Sequence, residues 1–183
     1  MTPMEILDAA INYDAATREH LHRVREYAVT LAHALGVRDA ATIEAIDEAA
    51  LLHDIGKVAI PDHILNKPGR LTEAEFDEMK RHVDLGADML SQFSLDASVV
   101  PIVRSHHENW DGTGYLRGLG GTAIPLGARI LSVVDCFDAL TSDRPYRLRM
   151  PVGKALHIVR DRRGTMYDPM VVDAFVRICH RES

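Results

Sequence analysis

Apolar residues recur every three or four positions along most of this chain, the spacing that gathers them on one face of an α-helix. The first clear case ends at Gly36, and its apolar positions are Leu21, Val24, Ala28, Leu31 and Leu35. Glycine is common just after the last turn of a helix, because it adopts the left-handed conformation without strain. The pattern therefore predicts a helix over residues 17–35.

Six further stretches carry helical signals. Thr72, with Glu75 three residues later, forms a capping-box pattern that opens a helix. Only residues 57–60 resemble a strand. The sequence therefore predicts an all-α fold, a single helical bundle of about seven helices. The six further helices cover residues 42–53, 72–90, 96–108 and 123–140, and the last two open at Pro151 and at Asp168-Pro169.

Length and composition fit one globular domain. The 183 residues are 46% hydrophobic and 26% charged, without a repeat or a linker, so we expect a single domain over residues 1–183. No apolar run approaches the ~20 residues that span a bilayer, and the N-terminus lacks a signal-peptide pattern. We therefore expect a cytoplasmic protein without membrane contact. Cys136 and Cys179 lack metal-ligand spacing, which indicates reduced thiols.

The net charge of the chain limits the kinds of molecule that it can bind. Lys and Arg number 21 and Asp and Glu number 27, a net charge of −6 that disfavours binding to a nucleic acid polymer. An anionic substrate then needs a local positive centre, supplied by metal ions or by a few placed Lys and Arg side chains. Ten histidines are a high count for this length, so their positions are informative.

Five histidines and two aspartates stand at helix ends or on apolar helix faces: His20, His53, His82, His106, His107, Asp54 and Asp135. Leu and Ile flank the His53-Asp54 pair, so both side chains leave a buried backbone. An uncompensated charge there is costly, and a divalent metal ion compensates it well. Taken alone, His20 and His82 are better explained as core or surface histidines.

Two further features support a buried metal site. His106 and His107 are adjacent, so both rings reach one centre only if the end of their helix points at it. Asp135 and Asp138 lie one turn apart in apolar surroundings. A metal ion would stabilise Asp135, and Asp138 could orient a neighbouring group.

The ligand types favour one kind of chemistry. Imidazole and carboxylate without thiolate suit iron, manganese, zinc and similar ions, and the set does not choose among them. Two such ions roughly 3.5–4 Å apart can hold a bridging hydroxide and a phosphoryl oxygen together. Asp54 is the candidate for a bridging carboxylate. The pattern favours phosphoester hydrolysis over redox or acyl-transfer chemistry, and no nucleophile elbow, Walker loop or dinucleotide fingerprint competes with it.

The order of these residues resembles the HD superfamily of metal-dependent phosphohydrolases. Four segments are similar to its HD-GYP branch: HDIGKVAIPDHILNKPGRLT, HHENWDGTGY, IPLGARILSVVDCFDALTSDRPYR and GTMYDPMVVDAF. The resemblance covers residues 14–175. It implies an all-helical domain that opens the cyclic dinucleotide c-di-GMP to pGpG, and in some members continues to GMP.

The resemblance also implies roles for individual residues. One divalent metal would be held by His20, His53, Asp54 and Asp135, and a second by Asp54 as a bridge with His82, His106 and His107. Iron or manganese is expected, with zinc, nickel and magnesium as alternatives. Asp54 and Lys57 are the expected catalytic residues. The expected substrate contacts are Lys57 on the scissile phosphate, Arg144 and Arg147 on the other phosphate or the guanine, and Tyr115 along the groove; Asp14 and Asp138 are expected to support the ligands.

Two positions depart from the family pattern. The Gly-Tyr-Pro triplet reads Gly114-Tyr115-Leu116 here, which removes a fixed φ from the loop and affects any partner protein that binds there. Members with three metals carry a Glu four residues before the first ligand histidine, where this chain has Ala16; Glu19 projects from another face. We therefore predict two metals.

Three functions remain open at this point. The first is a c-di-GMP phosphodiesterase that attacks with a metal-bridging hydroxide. The second keeps the metal chemistry but acts on another nucleotide. The third is a catalytically slow module that binds c-di-GMP and contacts a partner through the Tyr115-Leu116 loop. The sequence leaves open the native metal, the end product, the oligomeric state and whether the chain is part of a larger regulator.

Overall fold

The computed structural model describes residues 15–143 and 148–180 of the chain. In order, the helices are α1 (Ala15–Ala34), α2 (Ala40–Leu52), the 3₁₀-helix η1 (Ile55–Ala59), α3 (Asp62–Leu65), α4 (Glu73–Lys80), α5 (His82–Leu90), α6 (Val99–Ser105), the 3₁₀-helix η2 (Gly121–Ala123), α7 (Leu126–Thr141), α8 (Val152–Asp161) and α9 (Pro169–Cys179). Apart from helices, the described residues form an isolated bridge between Arg163 and Tyr167. None of the described helices is long and apolar enough to cross a membrane. The predicted all-α fold is confirmed.

One hydrophobic core joins α1, α2, α6, α7, α8 and α9. The long helix α7 lies at its centre and packs against the other five. This packing buries a run of apolar side chains, each of which contributes roughly 1.5–3 kcal/mol; they are Ile130, Leu131, Val133 and Val134. Because Asp135 follows directly on the same helix, the core fixes the position of its carboxylate. The prediction of a single domain over residues 1–183 stays a prediction.

The stretch predicted as one helix over 72–90 is two helices, α4 and α5. The chain tightens at Arg81, whose N–H donates to the Glu78 carbonyl at 3.1 Å. The ring of His82 bonds the carbonyl of Met79 at 2.8 Å. This local competition for carbonyl groups ends α4 and starts α5. It explains why eight of the described α-helices have seven or more residues where about seven helices were predicted.

Three other boundaries differ from the prediction. Residues 57–60 do not form a strand, because they lie in η1 and its C-terminal cap. Helix α6 is shorter than residues 96–108, since the Asp96 carboxylate accepts from the Ser98 N–H at 2.8 Å in a turn before it. Helix α7 starts at Leu126 rather than 123, because Pro125 is suited to the position just before a first turn.

Helices η1 and α5 pack together through two glycines. A Cβ on Gly56 would lie 2.0 Å from the carbonyl oxygen of His82 and 2.5 Å from the backbone nitrogen of Gly86. A Cβ on Gly86 would lie 3.0 Å from the Gly56 nitrogen. These neighbours are backbone atoms, so they cannot rotate out of the way. The contact therefore sets the segment that carries Asp54 and Lys57 directly beside His82.

We expect Gly56→Ala to lower the free energy of unfolding by about 3 kcal/mol, because overpacking against backbone forces η1 and α5 apart. Gly153 is the matched control, since a Cβ there meets nothing within 4 Å. Gly153→Ala, in helix α8, should be neutral or stabilising by about 0.5–1 kcal/mol. Urea unfolding measures both values, and a Gly56→Ala protein as stable as wild type would contradict the close contact.

Candidate metal centre

Three histidines follow the same local rule at helix ends. His53 caps α2, His106 caps α6, and His82 follows the end of α4. In each, ring Nδ1 bonds the backbone carbonyl three residues earlier: Ala50 at 2.9 Å, Met79 at 2.8 Å and Val103 at 2.6 Å. A carbonyl only accepts, so Nδ1 carries the hydrogen and donates it. Nε2 is then left with a free lone pair.

The surroundings of the Nε2 atoms of these three histidines show whether a metal ion fits the site. All three atoms are buried and have no hydrogen-bond partner. A buried nitrogen acceptor without a partner destabilises a fold by the cost of its lost hydration. A divalent metal ion is the partner that such a lone pair suits, since Nδ1 is already held by a carbonyl. The residues therefore fit a bound divalent ion.

The first ligand group joins α1, the end of α2, and α7. One ligand atom each from His20, His53 and Asp54 lie within 4.8 Å of one another. Asp135 on α7 completes the group, with Oδ1 3.3 Å from Nε2 of His20 and 4.0 Å from Nε2 of His53. Long-range packing of α1 on α7 brings these residues together.

The second ligand group consists of His82, His106 and His107, whose ligand atoms also lie within 4.8 Å of one another. The rings of His106 and His107 are 4.1 Å apart, and the His82 ring is 5.7 and 5.3 Å from them. Helix α6 ends at Ser105. The pair thus leaves the end of the helix, the arrangement that two adjacent ligands require.

Asp54 lies between the two groups. Its Oδ2 is 3.5 Å from Nε2 of His53, and its Oδ1 is 3.4 Å from Nε2 of His82. Each carboxylate oxygen therefore faces a different group. The rings of His53 and His106 are 5.2 Å apart, so the groups are also in direct contact.

His20 is oriented by a different partner from the other histidines. Its Nδ1 bonds Oδ2 of the buried Asp138 at 2.7 Å, and Arg23 donates to the same carboxylate through Nε at 2.6 Å. Ser142 is also within hydrogen-bond distance of this carboxylate. Asp138 thus lies behind His20, as the sequence suggested. Arg23 was missed as a contributor, although its spacing of three residues from His20 was a usable signal.

Burial and charge set the protonation of the ligands. Burial lowers the pKa of His107 to about 4, and lowers the pKa values of His82 and His106 as well. Burial would also lower the pKa of His20, but its hydrogen bonds to Asp135 and Asp138 outweigh this and raise it to about 9. Most of the site therefore presents neutral imidazole, the form that binds metal.

Two carboxylates stay ionised in this buried site. Burial raises the pKa of Asp54, but the positive charge of Lys57 overcomes this and holds the pKa well below its ordinary value. Burial also raises the pKa of Asp135, and the hydrogen bond from His20 reverses the shift. Lys57 Nζ lies 2.5 Å from Asp54 Oδ2 and is about one-third exposed, so its ammonium group borders the metal centre.

An aromatic rim stands beside the second group. The Tyr115 ring is 5.0 Å from the His107 ring, tilted by 30°. The Phe76 ring of α4 meets Tyr115 edge-on at 6.2 Å, and Lys80 Nζ lies 5.1 Å from the Phe76 ring centre. The Tyr115–Leu116 peptide bond is cis. Phe76 and Lys80 were missed in the sequence, because their helix buries none of its residues and gave no sign of its approach to Tyr115.

Some predicted residues lie outside the described part of the chain. Asp14, Arg144 and Arg147 are among them, and the side chain of Ala16 is also outside it. Glu19 lies on an exposed face with its carboxylate 3.7 Å from Arg23, in keeping with the expectation that it projects elsewhere. The roles of these residues stay predictions.

The fold and the site define an all-α protein with a buried group of histidines and aspartates that could hold a metal ion. The HD domain family model matches residues 5–171. The chain therefore belongs to the HD domain family, as its motifs suggested, and this domain implies a divalent metal ion.

Comparison with known proteins gives three informative relatives. The chain is 44% identical over 176 residues to the cyclic di-GMP phosphodiesterase response regulator RpfG of Xanthomonas campestris, covering 93% of this chain and 46% of that protein. It is 41% identical over 165 residues to 3′3′-cGAMP-specific phosphodiesterase 3 of Vibrio cholerae, covering 90% and 35%. The chain thus spans less than half the length of these relatives. The solved HDG"Y"P protein Bd1817 of Bdellovibrio bacteriovorus shares the fold, with a TM-score of 0.73 at 24% identity over 95% of this chain and 56% of that one.

We expect Mn²⁺ to stabilise the protein, because it would satisfy the buried Nε2 atoms only in the folded state. An ion at about 100 times its dissociation constant adds about 2.7 kcal/mol. For a chain of this size that is a rise in Tm of roughly 5–10 °C. His106→Ala should lose most of this rise and bind less metal by elemental analysis. His157→Ala is the control, since His157 is exposed on α8 and should keep both responses.

Proposed function

We propose that this chain is a metal-dependent phosphodiesterase that hydrolyses c-di-GMP to pGpG. The observation that carries the proposal is the position of Asp54, whose two oxygens face two separate groups of histidines. This arrangement suits two divalent ions with a carboxylate between them, the arrangement used for phosphoester hydrolysis. Relatives at 40–44% identity are named as cyclic di-GMP phosphodiesterases, which supports the choice of substrate.

The two proposed metal ions would be bound by residues from different helices. His20, His53 and Asp135 would hold one ion, and His82, His106 and His107 the other, with Asp54 shared. Divalent ions bound there supply Lewis acidity, which activates water and neutralises charge on a phosphoryl oxygen. Iron or manganese is the proposed metal, and the lack of a Glu at Ala16 supports two ions rather than three.

Lys57 supplies a second source of positive charge. Its ammonium group pairs with Asp54, where it offsets the negative charge of the buried carboxylates. With its head partly exposed at the edge of the centre, Lys57 can donate to a phosphate oxygen of an arriving substrate and stabilise charge that develops in the transition state. This local field allows a chain of net charge −6 to bind an anion.

The aromatic rim is the proposed binding surface for the nucleoside part of the substrate. Tyr115 is partly buried against His107, and Phe76 is 47% exposed. Aromatic rings of this kind bind nucleobases by stacking, at about 1–3 kcal/mol per base. Arg144 and Arg147 remain the proposed contacts for the second phosphate or the guanine. Asp138 and Asp14 remain the proposed supports of the ligands.

A second cyclic dinucleotide is an alternative substrate. The relative named as a 3′3′-cGAMP-specific phosphodiesterase is about as similar to this chain as those named for c-di-GMP. The metal centre would serve either substrate, since both contain the same phosphodiester linkage. Selectivity between c-di-GMP and 3′3′-cGAMP then depends on the aromatic rim and on the identity of the second base.

The exposed side chain of Leu116 supports the proposal that a partner protein binds at this loop. It is 40% exposed in the loop that carries Tyr115, where the family pattern has proline. A partner protein could contact this apolar side chain, as the sequence suggested. The cytoplasmic location also stays a prediction.

We expect Asp54→Ala to reduce turnover of c-di-GMP by at least about 10³-fold, because it removes the residue shared by both groups. Lys57→Met should cost about 10²–10³-fold in kcat, the loss typical of removing one donor to developing charge. Lys154→Met, on the exposed face of α8, is the matched control and should leave turnover unchanged. The measurement is pGpG release by metal-loaded protein. Full activity in Asp54→Ala would refute the site.

Side-by-side assays with c-di-GMP, 3′3′-cGAMP and mononucleotides test the substrate. We expect the highest kcat/KM for c-di-GMP and negligible turnover of mononucleotides, which present no cyclic diester. A preference for 3′3′-cGAMP would select the alternative. Tight binding of c-di-GMP without product, at full metal loading, would identify a binding module instead of an enzyme.

A further inference from the structure

Glu108 follows directly on the ligand pair His106-His107, yet its carboxylate serves a different purpose. The residue is 3% exposed. Its Oε1 accepts from the backbone N–H of Arg117 at 2.7 Å, and its Oε2 accepts from the N–H of Leu119 at 3.1 Å. Both oxygens thus accept hydrogen bonds from the loop that carries Tyr115, residues 110–120.

That loop is held to the ligand segment at several further points. The Tyr115 N–H donates to the carbonyl of His107 at 3.2 Å, and the Gly121 N–H donates to the carbonyl of Trp110 at 2.8 Å. Gly114 lies so close to Glu108 that a Cβ on it would be 2.5 Å from the Glu108 Cα. The loop therefore folds back over the residues that precede it. The Glu108 carboxylate holds the part of the loop that follows Tyr115, at Arg117 and Leu119.

We infer that Glu108 is a positioning residue for substrate binding, which fixes the loop so that the Tyr115 ring lies between His107 and Phe76. The inference rests on the proposed function, because it assigns the loop to c-di-GMP recognition. Hydrogen bonds from backbone N–H groups to a carboxylate are charge-assisted and roughly twice as strong as neutral ones. Two of them on one buried side chain restrain a loop that has few regular bonds of its own.

The chemistry requires a carboxylate at this position. Both Glu108 oxygens face N–H donors, so both must be acceptors. A glutamine offers one acceptor oxygen and one NH₂ donor, which would face an N–H group and repel it. Aspartate keeps two acceptors on a side chain shorter by one methylene. Glu108→Gln should therefore perturb the loop more than Glu108→Asp does, although glutamine is the closer match in shape.

The experiment compares two substrates on metal-loaded protein. Glu108→Gln is expected to raise the KM for c-di-GMP about tenfold, with a smaller change in kcat, because the rim is misplaced while the metal ligands remain. Hydrolysis of bis(p-nitrophenyl) phosphate, a small diester that needs no rim, should stay within about twofold of wild type. Glu108→Asp should recover part of the loss. Glu44→Gln, on the exposed face of α2, is the control and should behave as wild type.

Two readouts separate the inference from a general loss of structure. Bound metal should be unchanged in Glu108→Gln. Trp110 is the one tryptophan in the chain and begins the loop, so its emission should shift in this variant and not in Glu44→Gln. An unchanged KM for c-di-GMP, an equal loss on both substrates, or loss of metal would each overturn the role of Glu108. Wild-type protein that cleaves the small diester but yields no product from c-di-GMP would instead overturn the proposed function, and the substrate role of Glu108 with it.

Discussion

The hydrogen bond from a histidine Nδ1 to the carbonyl three residues earlier recurs at His53, His82 and His106, and the metal centre depends on it. Each bond uses a carbonyl at a helix end, where the backbone has lost its regular partner. Each also fixes which ring nitrogen carries the hydrogen and directs the other inwards. A single local arrangement thus ends a helix and prepares a ligand. His20 lies within a long helix, and its Nδ1 is held by the Asp138 carboxylate instead of by a carbonyl.

The electrostatics follow from this arrangement. The neutral imidazoles of His82, His106 and His107 add no charge to the buried site, and its negative charge comes from Asp54 and Asp135. Lys57 moderates that charge through its contact with Asp54, and Arg23 pairs with Asp138 behind His20. The carboxylates of these pairs are at least partly shielded from water, which strengthens the interactions. These charges therefore meet at one place in the fold, and the aromatic rim lies next to it.

Much of this could be read from the sequence, and the remainder has a common cause. Helical periodicity predicted the all-α fold, and the motif order indicated the seven candidate ligands that the structure gathers into two groups. The break at Arg81 was missed because a side-chain bond from His82, which no periodicity reveals, takes a main-chain carbonyl. The carboxylate of Glu108 was equally hidden, because its partners are backbone groups of a loop. Contacts between side chains and distant backbone leave no regular pattern in a sequence.

The contact between Gly56 and Gly86 has an architectural consequence. The two glycines bring distant parts of the chain into backbone contact next to Asp54 and His82. The residues between them therefore form a closed loop, called the excursion here. Helix α4, within this excursion, buries none of its residues. Loop length changes closure entropy only slowly. The part of the excursion that lies between Lys57 and His82 can therefore lengthen, shorten or change sequence while the histidine groups keep their separation. Since Phe76 reaches the rim from this segment, selectivity and metal chemistry can diverge independently within one fold.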